Sequence, residues 1–324
     1  MMVVWVHSLY VIPDVVERLG AQYFVPNSAV AIFFLISGFV MVVATTKKEM
    51  TPVEFFRLRL IRVVPLYWLA TIAMIAIAMI ASVMSGHSFK GMSYPPSAIA
   101  KSLLFVPYAA IEGVPGSVWP IVQQGWTLNY EMFFYALFAL SLAAPRRFRL
   151  PALASTLGSL AVIGGLFGPF ANPLAGVYTS SMLLALVAGM ILAHAWMRAG
   201  SWAWLPLSLL FIAFGFYAIG SRNSVFVTMS GAFIIFAGCL HPKICALQNR
   251  PLMELGNASY SIYLIHQFVL EALAWTWLRV FPLATWASSV FFMALALMLC
   301  AVAGLLCYRF IERPLTSKLL EFVR

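Results

Sequence analysis

Charge is scarce in this chain: Asp, Glu, Lys and Arg together make up only 9% of its 324 residues. A soluble domain carries about 25% charged residues, because it needs a wetted shell. Without that shell most of the surface has to face lipid. The 63% share of hydrophobic residues and the mean hydropathy of +0.95 agree. Acidic residues are scarcer than basic ones, 10 against 20, which leaves a net charge of +10. That excess does not mark a nucleic-acid binder, since Lys and Arg fall in short clusters between long apolar runs and not on one continuous basic surface. Clusters so placed set membrane orientation. Cysteine is limited to Cys239, Cys245, Cys300 and Cys307, with no paired spacing of a metal site. The topology below puts all four in the cytosolic half, where reduced, structural thiols are expected. The chain has no GxGxxG, Walker loop, HExxH or paired CxxC, so nothing supports a soluble nucleotide or metal enzyme. His87, His194 and His241 lie in loops or at helix ends without partners at ligand spacing, and no metal is expected. The apolar start at Met1 lacks a basic leader and a small-residue cleavage site, so no cleaved signal peptide is expected.

Long apolar runs are abundant. A spanning helix needs about 20 predominantly apolar residues. The hydropathy predicts an all-α, polytopic membrane protein of about ten spans forming a single transmembrane domain over 1–324, with no separate soluble domain. The expected spans run Met1 to Ile12, Ser28 to Ala44, Val63 to Met84, Gly125 to Ala144 and Leu150 to Gly168. They continue with Val177 to Met197, Trp202 to Ile219, Ser224 to Leu240, Ala258 to Phe281 and Ala284 to Tyr308. The longest connection, Ser85 to Gln124, is rich in Ser, Pro and Gly and reads as an ordered loop with a re-entrant piece near Leu103. With the N-terminus cytosolic, 15 of the 20 basic residues fall inside, and Arg18, Lys90, Lys101, Arg222 and Arg279 fall outside. That bias predicts cytosolic termini in a plasma (inner) membrane protein. The first span is short, since twelve residues reach about 18 Å against a core of about 30 Å. It is expected to continue a helix that begins upstream.

An ionisable side chain inside a span costs about 2.5–3.5 kcal/mol on insertion scales, so each one requires a reason. His7, Glu131 and His266 stand out. Counting rises along the expected spans puts His7 about 22 Å from the cytosolic face and Glu131 about 9 Å below the outer face. At similar depth the two are candidates for an acid–base pair, the carboxylate orienting or charging the imidazole. The alternative, that each bonds a neighbouring helix, stays open. His266 lies about 12 Å in from the cytosolic face. It follows Tyr260 and Tyr263 on a helix opening with the possible caps Asn257 and Ser259, a setting that suits interhelical bonding.

Thr51, Pro52 and Glu54 read as an N-cap, a first-turn proline and a capping-box acid. The helix they start puts Arg59 and Arg62 three apart on one face, and Pro65 is expected to loosen it by removing the bond to the Ile61 carbonyl. Two guanidinium groups at a membrane boundary suit a phosphate-bearing ligand, and equally suit orientation and headgroup contact.

Taken in order, these landmarks resemble membrane acyltransferase family 3, whose members O-acylate sugars of surface polysaccharides, lipopolysaccharides and small glycosides. The resemblance is carried by His7 in Val3-Val4-Trp5-Val6-His7-Ser8 and by Phe33-Phe34-Leu35-Ile36-Ser37-Gly38-Phe39, like the family's FFxxSGF. Arg59-Leu60-Ile61-Arg62 matches its RxxR, with Pro65 and Tyr67 following. Trp126-Thr127-Leu128-Asn129-Tyr130-Glu131 with Tyr135 is similar to its W-S-L-x-x-E element. Ser259-Tyr260-Ser261-Ile262-Tyr263-Leu264-Ile265-His266 and Glu312-Arg313-Pro314 resemble the late SYxxYLxH run and the closing ERP. The chain departs at Ala29, where the family has Gly. It also has no counterpart to an Arg eleven residues before the histidine, a position upstream of Met1.

The resemblance implies transfer of an acyl group, acetyl expected, from cytosolic acyl-CoA to a hydroxyl of a saccharide or glycolipid, with no bound cofactor and no nucleic-acid partner. It implies that Arg59 and Arg62 hold the CoA phosphates while the pantetheine arm runs up a channel to His7. His7 then serves as general base or acyl carrier, with Glu131 orienting it or binding acceptor hydroxyls. Ser37, Trp126, Tyr135, Tyr260 and His266 are expected to line the acceptor side or the channel. The competing expectation is a transporter or flippase of a polar or lipid-linked solute. No repeat between the halves supports it, and the arginine pair has no natural place in it.

Overall fold

A computed structural model describes residues 1–10, 25–85, 94–109, 118–199, 224–241, 244, 246, 249–280 and 286–322. Every regular element among the described residues is helical. Among the described residues, five stretches are long and apolar enough to cross a bilayer: Ala29–Lys47, Pro52–Met84, Arg146–Phe167, Pro173–Arg198 and Ala287–Phe322. A shorter apolar helix covers Ser230–Cys239. The span expected at Trp202 to Ile219 lies outside the described residues. The chain divides into two compact units, Met1–Lys47 with Ala185–Pro314, and Lys48–Leu184 with Leu315–Arg324.

The first unit contains α1 (Met2–Tyr10), α2 (Val25–Lys47), and then α8 (Leu183–Ala199) from Ala185 on. It continues with α9 (Ser224–Cys239), α10 (Arg250–Asn257), α11 (Ser259–Val280) and α12 (Trp286–Cys307). Helix α1 packs on α2, α11 and α12, and α11 pairs along α12. Val4, Leu9, Ile262, Leu270, Phe292 and Ala296 fill the seam between these helices. Backbones approach closely where side chains vanish. A Cβ on Gly38 of α2 would strike the Leu186 carbonyl, and one on Gly189 of α8 would strike the Leu35 carbonyl. These glycines let α2 and α8 cross at near-contact distance, as small residues do between membrane helices. Gly304 of α12 plays the same part against Ile262.

A π turn, Tyr308–Glu312, interrupts the end of α12 before α13 (Arg313–Phe322). Its wider winding buries Glu312 while Phe310 and Ile311 stay exposed. Buried Glu312 accepts a hydrogen bond from Ser261 Oγ at 2.5 Å.

The second unit is built on α3 (Pro52–Ser85), α4 (Pro96–Leu103), α5 (Gly125–Ser141), α6 (Arg146–Phe167) and α7 (Pro173–Tyr178). Thr51 caps α3 as expected, its Oγ1 accepting from Glu54 N–H at 3.1 Å, while the Glu54 carboxylate pairs with Lys48 at 3.0 Å. Helix α3 runs unbroken for 34 residues through Pro65. The expected loosening therefore does not end the helix. Its neighbours Leu66 and Tyr67 are buried, and that packing holds the helix together despite the lost backbone bond.

Tyr67 and Ser102 bond through their hydroxyls at 3.1 Å, and Trp68 Nε1 donates to the Leu103 carbonyl at 2.9 Å. These bonds fasten the short α4 to α3, in the place where a re-entrant piece is expected. Helix α4 ends with Phe105 at φ 57, its ring against Tyr67 with centres 4.7 Å apart. Val106 N–H closes the turn on the Lys101 carbonyl. The expected span Val177 to Met197 is divided between α7 and α8 by the turn at residues 179–182. Asn172 caps α7 through Leu174 N–H at 2.9 Å.

Candidate active site

His7 on α1 and His266 on α11 meet in the first unit, with His7 Nδ1 2.7 Å from His266 Nε2. The ring centres are 4.9 Å apart and the planes are inclined by 27°. That separation is close to the nitrogen–nitrogen distance plus two ring radii, so the rings meet edge to edge along the hydrogen bond. His266 is fully buried and His7 half-buried.

Helix geometry supplies the next link. Three residues before His266, the Tyr263 carbonyl lies 2.6 Å from His266 Nδ1. The Tyr263 ring lies nearly parallel to Phe33 of α2, with centres 5.6 Å and planes 10° apart. The first-helix histidine, the FFxxSGF run and the SYxxYLxH run thus converge. Ser37 and Tyr260, expected on the acceptor side, are buried within this unit and engaged in further interactions.

Glu131, Tyr135 and Arg59 come together in the second unit. Glu131 and Tyr135 are one turn apart on α5, and the Tyr135 hydroxyl donates to the Glu131 carboxylate. Arg59 on α3 sets its guanidinium 5.3 Å from the Phe55 ring centre and 5.9 Å from that of Tyr135. Phe55 and Tyr135 meet edge-on at 84°, walling the cation on two sides. Arg59 Nε is buried and, among the described residues, has no hydrogen-bond partner. Arg62, three residues on, is exposed. The two arginines therefore share a helix face and differ in setting. Trp126 is half-buried and edge-on to Tyr130, with ring centres 5.9 Å apart.

The expected partners His7 and Glu131 belong to different units. Within its own unit, His7 meets His266 and Glu131 accepts from Tyr135. Sequence reading left His266 between a lining and an interhelical role and did not connect it to His7. The only available signal was that both are imidazoles at intramembrane positions. Nor did it find Phe55, whose ring holds Arg59 one turn later on α3. Among the described residues, no group of three or more His, Cys, Asp or Glu is placed to hold a metal ion.

An apolar protein, helical in every regular element among its described residues, with an imidazole pair in one unit and an arginine–carboxylate–phenol group in the other, has the parts of a membrane-embedded group-transfer enzyme. The family model for the acyltransferase domain of family 3 matches residues 1–306, and the chain belongs to that family of membrane acyltransferases. It is 35% identical over 311 residues, 93% of each chain, to the exopolysaccharide production protein ExoZ of Rhizobium meliloti (strain 1021). No solved structure matches the chain.

Proposed function

We propose that this protein is an O-acyltransferase that moves an acyl group, acetyl by preference, from acyl-CoA to a hydroxyl of a surface polysaccharide or its glycolipid precursor. The observation that carries this reading is the His7–His266 contact, which puts a half-buried imidazole on a fully buried partner. An imidazole so held is suited to general-base work near neutral pH. Family membership supports acyl transfer, and the likeness to an exopolysaccharide production protein supports a polysaccharide acceptor.

In the proposed reaction His7 takes the proton of the acceptor hydroxyl as its oxygen attacks the thioester carbonyl. The C–O bond forms, the C–S bond breaks, and the imidazolium returns its proton to the departing CoA thiolate. The products are an ester and free CoA. Arg59 and Arg62 bind the CoA phosphates, a role supported by the unused Nε–H of Arg59 and the exposure of Arg62. Glu131, bonded by Tyr135, is the acidic group we assign to the acceptor hydroxyls. Trp126 offers an aromatic face for a sugar ring. The arrangement in the membrane is proposed to be about ten spans in the inner membrane, with both termini cytosolic.

The test is mass spectrometry of surface glycans and glycolipids from the native host with the gene intact, deleted, or carrying His7→Ala. Loss of the same acyl mass increment in both altered strains is expected and identifies the acceptor. An acyl profile unchanged by deletion would overturn the reading.

A further inference from the structure

The hydrogen bonds around His266 determine which nitrogen of His7 is basic. A backbone carbonyl only accepts, so the Tyr263 carbonyl at 2.6 Å requires a proton on His266 Nδ1. A neutral imidazole carries one N–H. His266 is fully buried on α11, with buried Ile262 and Leu270 one turn to either side along the helix and buried Cys300 of α12 against its carbonyl. Burying a charge in apolar surroundings without a counter-ion is costly, which favours the neutral ring. With its proton on Nδ1, neutral His266 presents a lone pair at Nε2. His7 Nδ1, 2.7 Å away, must then be the donor. One proton on Nδ1 leaves His7 with its lone pair at Nε2, and among the described residues that nitrogen has no hydrogen-bond partner.

Resting on the acyltransferase reading above, we infer that the Tyr263 carbonyl, His266 and His7 form a tautomer relay in which His266 is a positioning residue that makes Nε2 of His7 the basic atom. His266 has no exposed surface and acts only through His7. The edge-to-edge geometry keeps the shared hydrogen bond near the ring planes, where the nitrogen lone pair points.

The Tyr263 ring stacks on Phe33 of α2, and the thiol of Cys300 on α12 lies 3.8 Å from the His266 carbonyl, so both residues of the relay on α11 are held by neighbouring helices. When Nε2 takes the acceptor proton, the new imidazolium keeps its Nδ1–H on His266. No second proton moves, so the protein needs no buried carboxylate at this point. The arrangement does the tautomer-fixing work of the aspartate in a Ser-His-Asp triad, with a neutral ring in place of a charge.

The test uses the full chain in lipid nanodiscs, labelled with ¹⁵N-histidine. The histidines number five, and His7→Ala and His266→Gln assign the two signals. The nitrogen shifts distinguish the Nδ1–H from the Nε2–H tautomer. In the unmodified protein both His7 and His266 are expected as Nδ1–H. His266→Leu is expected to release His7 into a mixture containing the Nε2–H form and to lower kcat by about 10–100-fold with KM nearly unchanged. His266→Gln, whose amide oxygen accepts from His7 and whose NH₂ donates to Tyr263, is expected to keep the His7 tautomer and most of kcat. Finding His7 as Nε2–H or doubly protonated in the unmodified protein would overturn the relay. So would a His266→Leu variant whose His7 tautomer is unaltered. If the tautomers follow expectation while no preparation transfers an acyl group, the relay stands and the acyltransferase role of His7 fails.

Discussion

Ser261 and Glu312 stand 51 residues apart in the chain and share a buried hydrogen bond of 2.5 Å, the Ser261 hydroxyl donating to the carboxylate. Each belongs to one of the two short motifs that close the chain, SYxxYLxH and ERP, so the bond ties the start of α11 to the π turn after α12. A hydrogen bond to a charged group contributes about 1.5–3 kcal/mol. Ser261→Ala is therefore expected to lower the thermal midpoint of the detergent-solubilised protein, followed by intrinsic Trp fluorescence. Ser261→Thr, which keeps the hydroxyl, is expected to lose less. Equal midpoints for Ser261→Ala and the parent protein would show that the bond contributes nothing to stability.

The crossing of α2 and α8 gives a second prediction. Gly38→Val and Gly189→Val each push a side chain into a facing backbone carbonyl, which cannot rotate away as a side chain can. Overpacking of this kind costs about 1–3 kcal/mol, and more where backbone must move. The double variant is expected to be less destabilised than the sum of the two singles, because one separation of the helices relieves both clashes. Gly165→Ala, whose Cβ meets nothing, is expected to leave the midpoint within about 0.5 kcal/mol of the parent.

For His7→Ala, loss of a general base is expected to reduce acyl transfer by about 10²–10⁴-fold. Its thermal midpoint is expected to fall as well, because fully buried His266 Nε2 loses its donor, a cost of about 1–3 kcal/mol, so transfer is compared at temperatures where both proteins are folded. The measurement is transfer of radiolabelled acetyl from acetyl-CoA to host glycolipid in membrane vesicles. Residual transfer near parental levels would take His7 out of the reaction.

Arg59→Ala with Arg62→Ala tests the donor site. Each charge-assisted bond to phosphate is worth about 1.5–3 kcal/mol, so losing two is expected to weaken acyl-CoA binding by at least about 100-fold. Isothermal titration with acetyl-CoA, and with CoA lacking its 3′-phosphate as comparison, reads the effect directly. Arg62→Lys is expected to retain more affinity than Arg59→Lys, since only Arg59 uses its flat guanidinium against Phe55 and Tyr135. Unchanged affinity in the double alanine variant would remove the phosphate role.

The apolar runs and helix caps were legible in the sequence because they are set by local composition and short-range bonds. Thr51 and Glu54 meet three residues apart, so any chain with those residues in that order offers the same start. The low charge content required an apolar surface for the same reason, since every polar group in a bilayer must be satisfied within the protein. His7, Glu131, Arg59 and Arg62 were also visible, because each stands as an expensive group in or beside an apolar run.

Their partners were not visible. Depth along a helix suggested Glu131 for His7, but depth says nothing about which helices pack side by side or which face each one turns inward. Tertiary packing decided that His7 meets His266 across 259 residues and that the Phe55 ring receives Arg59. It also kept α3 unbroken through Pro65, although the proline cannot donate to the Ile61 carbonyl. A side chain's hydropathy is its own, whereas a hydrogen bond at 2.7 Å belongs to two helices. Only the packing of both fixes the distance and angle on which that bond depends.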